Sequence, residues 1–132
     1  MAHSRMDVAH GETTLFTERL SLAPLSVADS TEMFAVYADP AMYEFTGGSP
    51  PTAGELHDRY AHLVRGWNHD HTTRWSNWIV RLGADGPAIG AIQASIAGDW
   101  SSAALAWEIA VGQQGMGYAQ EAAKAVVDWL IE

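Results

Sequence analysis

An α/β domain, with a mixed, mostly antiparallel sheet flanked by helices, is the fold class this sequence predicts. Three observations carry the prediction. Three strand-like segments follow one another at residues 78–82, 89–96 and 104–111, joined by short turns, which is the pattern of an antiparallel meander. Two stretches before them carry apolar residues at helical spacing. The third of those strands then runs straight into a glycine-rich turn and a further helix, residues 112–132. At 132 residues with 48% apolar content, the chain is long enough for one domain with its own core.

Taken in order, residues 1–14 show no periodicity and read as a flexible N-terminal tail; residues 15–132 read as the domain. Residues 18–24 alternate Leu20 and Leu22 with polar neighbours, giving a first strand. Ser26 with Asp29 resembles a capping box, and Val27, Met33, Phe34 and Tyr37 mark one helical face. Asp39-Pro40 ends that helix. Residues 47–51 form an irregular loop. Thr52 with Glu55 is a second capping box ahead of Leu56, Tyr60, Leu63, Val64 and Trp67, one apolar stripe. Residues 67–78 are rich in His and Trp without a clear period. A turn at 83–87 and a loop at 98–102 separate the meander strands. The last helix sets Tyr118, Ala122, Ala125, Val126 and Trp129 on one face.

The chain stops at Glu132 without a Gly or Asn cap. A strand–loop–helix unit covers its helix by crossing back to a parallel strand, and that strand is absent. The expectation is a domain cut inside its architecture, with residues 105–111 as an exposed edge that invites a complementing chain or a second copy.

Composition removes several functions. There are no cysteines, hence no disulfide, thiol nucleophile or thiolate metal site. A net charge of −9 argues against a nucleic-acid partner and suits a cationic substrate. No apolar run approaches a membrane span of about 20 residues, and the start lacks a secretion signal, so the cytoplasm is the expected location.

The glycine-rich turn carries the strongest chemical signal. A helix N-terminus offers unpaired N–H groups and a partial positive charge to a phosphate, and glycines let backbone approach it. A dinucleotide fingerprint is the weaker alternative, because it needs glycine where Gln120 stands. Glu108, the acid of the preceding strand, is a surface or ion-pairing residue on one reading and a general base or amine-binding carboxylate on the other. Trp75 and Trp100, at strand ends, are candidates for a substrate pocket, whereas Trp78 and Trp107 read as core. His69, Asp70 and His71 are adjacent on a loop and seldom converge on one ion, so no metal is expected. His57 and His62 read as helix surface.

Order of elements and residues together resemble the GNAT superfamily of N-acyltransferases, in particular the branch of the ribosomal-protein alanine acetyltransferases. The opening segment 17–25, Tyr37-Ala-Asp-Pro40, Trp78-Ile-Val80 and Ile89-Gly-Ala-Ile92 look like family elements. Gln114-Gly-Met-Gly-Tyr-Ala119 fits the acyl-CoA signature, with Glu121-Ala122 following. The resemblance implies acetyl-CoA as acyl donor. Backbone groups of Ile109, Ala110 and Val111 would meet the pantetheine arm. Gln114, Gly115, Met116, Gly117, Tyr118 and Ala119 would wrap the pyrophosphate. The acceptor would be a primary amine that attacks the thioester directly: a peptide N-terminus first, a small polyamine or aminoglycoside-like amine next. The branch often carries a glutamate where Ala104 stands here; Glu108 lies four residues on with the same strand parity. The family's closing strand, helix and hairpin, with a tyrosine general acid, are missing. The competing reading is a non-catalytic fragment that binds CoA or assembles with another chain.

Overall fold

The structure, a computed structural model, describes residues 13–44 and 47–131. Its sheet has five strands in the order of the sequence: β1 (Leu15–Phe16), β2 (Leu20–Pro24), β3 (Thr73–Leu82), β4 (Ala88–Ala97) and β5 (Ala103–Ile109). All four pairings are antiparallel. Helices α1 (Asp29–Tyr37) and α2 (Ala53–Leu63) fill the connection between β2 and β3, and α3 (Tyr118–Ile131) follows β5. Most of the expected tail, and Glu132, lie outside the described residues. Thr13 and Thr14 are described, and the Thr13 carbonyl accepts a hydrogen bond from Trp78 Nε1 at 3.0 Å.

Each face of the sheet has its own apolar cluster. Leu20, Leu22, Trp78, Val80, Ile92 and Val126 anchor the face covered by α3. Met33, Tyr37, Leu56, Tyr60 and Ile79 anchor the face covered by α1 and α2. Strand alternation explains the division: Trp78 and Val80 point one way, Ile79 the other.

The second capping box forms in full. Thr52 Oγ1 accepts from the Glu55 N–H at 3.1 Å, and the Glu55 carboxylate accepts from the Thr52 N–H at 2.8 Å. The first forms by half. Asp29 accepts from the Ser26 N–H at 2.8 Å, but the residue at the helix cap is Ala28, with no side-chain bond. The buried face of α1 is therefore Ser30, Met33 and Tyr37, while Phe34 stays exposed. Arg81 ties α1 to the sheet through Glu32 at 2.9 Å and Asp29 at 3.4 Å. Glu32 also takes the Ala88 N–H at 2.8 Å, and this bond, with Arg81, holds its carboxyl below its ordinary value.

Four boundaries differ from the sequence reading. A short strand, β1, precedes the expected first one and pairs Leu15 with Leu22. Helix α2 stops at Leu63, so Trp67 is no part of its stripe; it bridges to Arg74, whose guanidinium stacks over its ring. Strand β3 begins at Thr73, inside the His- and Trp-rich stretch. Strand β5 ends at Ile109, and Val111–Gln113 coil into a 3₁₀ turn. The loop holding His69, Asp70 and His71 is a self-capped turn: Asn68 and Asp70 accept from the Thr72 N–H, and His71 stacks on Trp67.

Candidate active site

Strand β5, the glycine turn and the start of α3 enclose one side of a cleft of about 540 Å³. A 3₁₀ turn after α1, Pro40–Tyr43, supplies the other side through Met42 and Tyr43. Two local features shape the cleft. Gly115 and Gly117 have φ of 81° and 82°, the left-handed region that residues with a Cβ adopt at a cost. Alternating here with Met116, they turn the backbone sharply into α3. Gly90 of β4 lies so close to β5 that a Cβ there would stand 2.2 Å from the Glu108 carbonyl oxygen, so a glycine is what lets β5 pair at this point.

Of the residues expected to hold the acyl donor, Ile109, Gln114, Gly115, Gly117, Tyr118 and Ala119 line the cleft. Ala110, Val111 and Met116 do not. Ala110 donates its N–H to the Ile89 carbonyl at 2.7 Å, Val111 has left the strand for the 3₁₀ turn, and Met116 is exposed. Gln114 bends back and donates Nε2–H to the Ile109 carbonyl at 2.9 Å. Its side chain thereby fixes the turn against the strand end, and the Ile109 carbonyl is already engaged.

Glu108 faces α1 and α2, lines this cleft, and also borders a second chamber of about 290 Å³. The Tyr37 hydroxyl donates to its Oε1 at 2.7 Å. Burial first, and then the neighbouring Tyr60 and Glu108, push the Tyr37 phenol far above its ordinary value. Tyr37 therefore stays protonated and acts as a fixed donor that orients the carboxylate. Tyr43, whose hydroxyl donates to the Tyr37 carbonyl at 3.0 Å, is also shifted upward, by burial and then by the charge of Glu108.

The tryptophans trade places relative to the sequence reading. Trp75 packs at a tilt against His62, their ring centres 5.0 Å apart, and Trp100 packs against the α3-side core. Neither lines the cleft or the chamber. Trp107, read as core, is 47% exposed and lines both. Strand parity does assign it to the α3 face, but on β5, the edge strand of the sheet, it stays half-exposed in the wall of the cleft. Trp78 is core, with Trp129 edge-on at 5.2 Å.

Arg19 was also not singled out from sequence. Its Nε meets Glu121 Oε1 at 2.7 Å and its guanidinium lies 4.5 Å from the Tyr118 ring centre. Glu121 further accepts from the Arg19 N–H and the Thr17 hydroxyl. Burial opposes ionisation of Glu121, but these donors outweigh it and hold its carboxyl below the ordinary value. The clamp ties the turn between β1 and β2 to the first turn of α3, where the cleft begins.

Among the described residues, no helix is long and apolar enough to cross a membrane. Solved structures share the fold. An acetyltransferase of the GNAT family from Bacillus anthracis superposes with a TM-score of 0.68 at 17% identity, over 89% of this chain and 65% of its own. An acetyltransferase from Agrobacterium tumefaciens str. C58 gives 0.66 at 32% identity, over 91% and 67%. A protein described as a ribosomal-protein-serine acetyltransferase from Vibrio cholerae gives 0.71 at 14% identity, over 92% and 68%. The chain thus spans about two thirds of the length of these proteins. No curated protein sequence matches it. The model of the acetyltransferase (GNAT) domain matches residues 19–132, from the clamp arginine through the whole of the cleft, and the chain belongs to the GNAT acetyltransferase family.

Proposed function

We propose that this protein transfers an acetyl group from acetyl-CoA to a primary amine, in the cytoplasm. The observation that carries the reading is the cleft. It offers left-handed glycine backbone at a helix N-terminus on one side, the open edge of β5 on another, and one carboxylate, Glu108, at its border with a second chamber. The residues fit the donor: a pyrophosphate meets N–H groups and a partial positive charge at the start of α3, and an extended pantetheine arm can follow the unpaired edge of β5. The amine nitrogen attacks the thioester carbonyl, the C–S bond breaks, and CoA leaves as the thiol once it has gained a proton. Glu108, oriented by Tyr37, first takes a proton from the acceptor's ammonium, so that the neutral amine attacks, and the proton the new amide nitrogen then sheds goes to the leaving thiolate. A peptide N-terminus is the favoured acceptor. Its α-amino pKa of about 8 leaves less deprotonation to accomplish than a lysine-like amine near 10.4, and one structural neighbour is described as acting on a ribosomal protein.

Calorimetry with CoA tests the reading. Gly117→Val should weaken CoA binding by about tenfold or more, because a β-branched residue resists φ near 82°. Glu108→Gln should leave CoA affinity intact while slowing amine acetylation. Equal CoA affinity in wild type and Gly117→Val would remove the reading. A second reading, assembly through β5, is favoured by the exposed Trp107 on that edge strand; light scattering that shows only monomer would dismiss it.

A further inference from the structure

The turn between β1 and β2 reaches the glycine turn before α3 through one side chain, Arg19. The backbone that carries this side chain is fixed on several sides. The Thr17 N–H donates to the Leu20 carbonyl at 3.0 Å, and Thr17 Oγ1 accepts from the Leu20 N–H at 3.0 Å, so the turn closes on itself. The Arg19 carbonyl accepts from the Gly83 N–H at 2.7 Å, just past the end of β3. The Arg19 N–H donates to Glu121 Oε2 at 2.9 Å. Both main-chain polar groups of Arg19 are therefore engaged.

From that base the guanidinium meets three positions of the glycine turn and α3. Its Nε donates to Glu121 Oε1 at 2.7 Å, its centre lies 4.5 Å from the Tyr118 ring centre, and its Nη2 would stand 3.4 Å from a Cβ at Gly117. Tyr118 and Glu121 are three residues apart, hence on one face of the helix. The Glu121 N–H also donates to the Gly117 carbonyl at 3.0 Å, a bond of the helical kind. Glu121 thus closes the first turn around Gly117 with its backbone and fastens it to Arg19 with its side chain. Gly117 and Tyr118 line the cleft, whereas Arg19 and Glu121 do not. The influence of Arg19 on the cleft therefore passes through the turn. That turn needs support: it holds two left-handed glycines, glycine loses more freedom on ordering than any other residue, and helix ends fray. A ligand that requires one arrangement of the turn binds in proportion to the fraction of molecules that hold it.

We propose that Arg19 is a positioning residue for the acyl donor: with Glu121 it holds Gly117 and Tyr118 in the arrangement that presents the start of α3 to the pyrophosphate. It rests on the acetyl-transfer reading only for naming CoA as the ligand. A lysine at this position could reach Glu121 as a point charge but has no planar group to lie over Tyr118 at the same time. The Lys124–Asp128 ion pair further along α3 is the contrast. Its side chains are 78% and 56% exposed, against 42% and 19% for Arg19 and Glu121, and neither residue lines the cleft.

Two measurements on the 132-residue chain test this. NMR relaxation needs no ligand: in Arg19→Ala the backbone order parameters of Gly117 and Tyr118 should fall from about 0.85 toward about 0.6, while Lys124→Ala leaves them as in wild type. Calorimetry then compares CoA, dephospho-CoA and pantetheine. Arg19→Ala should weaken CoA and dephospho-CoA alike, by about three- to tenfold, and leave pantetheine, which has no pyrophosphate, unchanged. Arg19→Lys should recover part of that loss, and Lys124→Ala should bind CoA as wild type does. The proposal is overturned if Arg19→Ala lowers the melting temperature but leaves the order parameters of Gly117 and Tyr118 unmoved, since Arg19 then only stabilises the fold. It is equally overturned if the loss appears with CoA and not with dephospho-CoA, since Arg19 then grips the 3′-phosphate itself. A wild type that binds none of the three strikes the acetyl-transfer reading, and the order parameters still decide whether Arg19 holds the turn.

Discussion

The two faces of one sheet do opposite work in this protein. The α3 face buries Trp78, Val80, Ile92 and Ile96 against Ala122 and Val126, with Arg74 and Ser76 buried at the same parity further back along β3. The α1/α2 face sets Tyr37, Tyr60, Asn77 and Glu108 around a chamber, with the Tyr37 hydroxyl donating to Glu108. Alternate residues of the same strands make both, so the apolar cluster and the chamber are separated by strand parity rather than by region of sequence. Changes in the apolar clusters should cost more stability than changes in the polar wall of the chamber.

The contrast is easiest to break at Trp78. It is fully buried, meets Trp129 edge-on and donates to the Thr13 carbonyl. Trp78→Ala should cost about 3–5 kcal/mol of unfolding free energy in urea, whereas Tyr37→Phe, which removes one hydrogen bond, should cost about 1 kcal/mol. Equal losses would show that the division between faces is false. Gly90 tests the boundary between them. A Cβ there meets the Glu108 carbonyl at 2.2 Å, so Gly90→Ala should cost about 1–3 kcal/mol by overpacking and should displace Glu108. Hydrogen exchange at β5 would report it; unchanged protection would mean that β5 yields easily.

The smallest effect is at Glu121, and it depends on pH. Its carboxyl is held below the ordinary 4.5 in the folded chain. A depressed carboxylate contributes stability that is present above about 4.5 and lost as pH falls through the lower folded value. The difference in stability between wild type and Glu121→Gln should therefore be about 1 kcal/mol at neutral pH and should shrink progressively below pH about 4.5. A difference that stays constant into acid would remove the clamp's ionic character.

Local signals were legible in the sequence because their causes are local. The Thr52–Glu55 box, the glycine turn and the meander need only neighbours within a few residues. The partners of Glu108 were not legible: Tyr37 lies 71 residues earlier, and nothing in either segment announces the other. Trp107 misled for a related reason. Parity tells which face a strand residue points to, not whether anything covers that face at the sheet's edge. Strand β5 was read two residues too long because Ala110 and Val111 suit a strand, while the Gln114 side chain takes the Ile109 carbonyl and turns the chain away.

The clamp between Arg19 and Glu121 spans 102 residues, almost the whole described chain. That separation sets an order of events during synthesis. Hairpins β1–β2 and β3–β4 and the capped helix α2 involve contacts that form as soon as their own residues emerge. The clamp forms only when the final helix has appeared, since long-range contacts wait on the closure of the loop between them. At translation rates of roughly 5–20 residues per second, Glu121 follows the end of β4 at Ala97 by roughly one to five seconds, and Ala122 and Val126 join the core only with it. The cleft is thus organised after the hairpins that precede it, and a nascent chain halted before Glu121 has those hairpins but no fixed glycine turn.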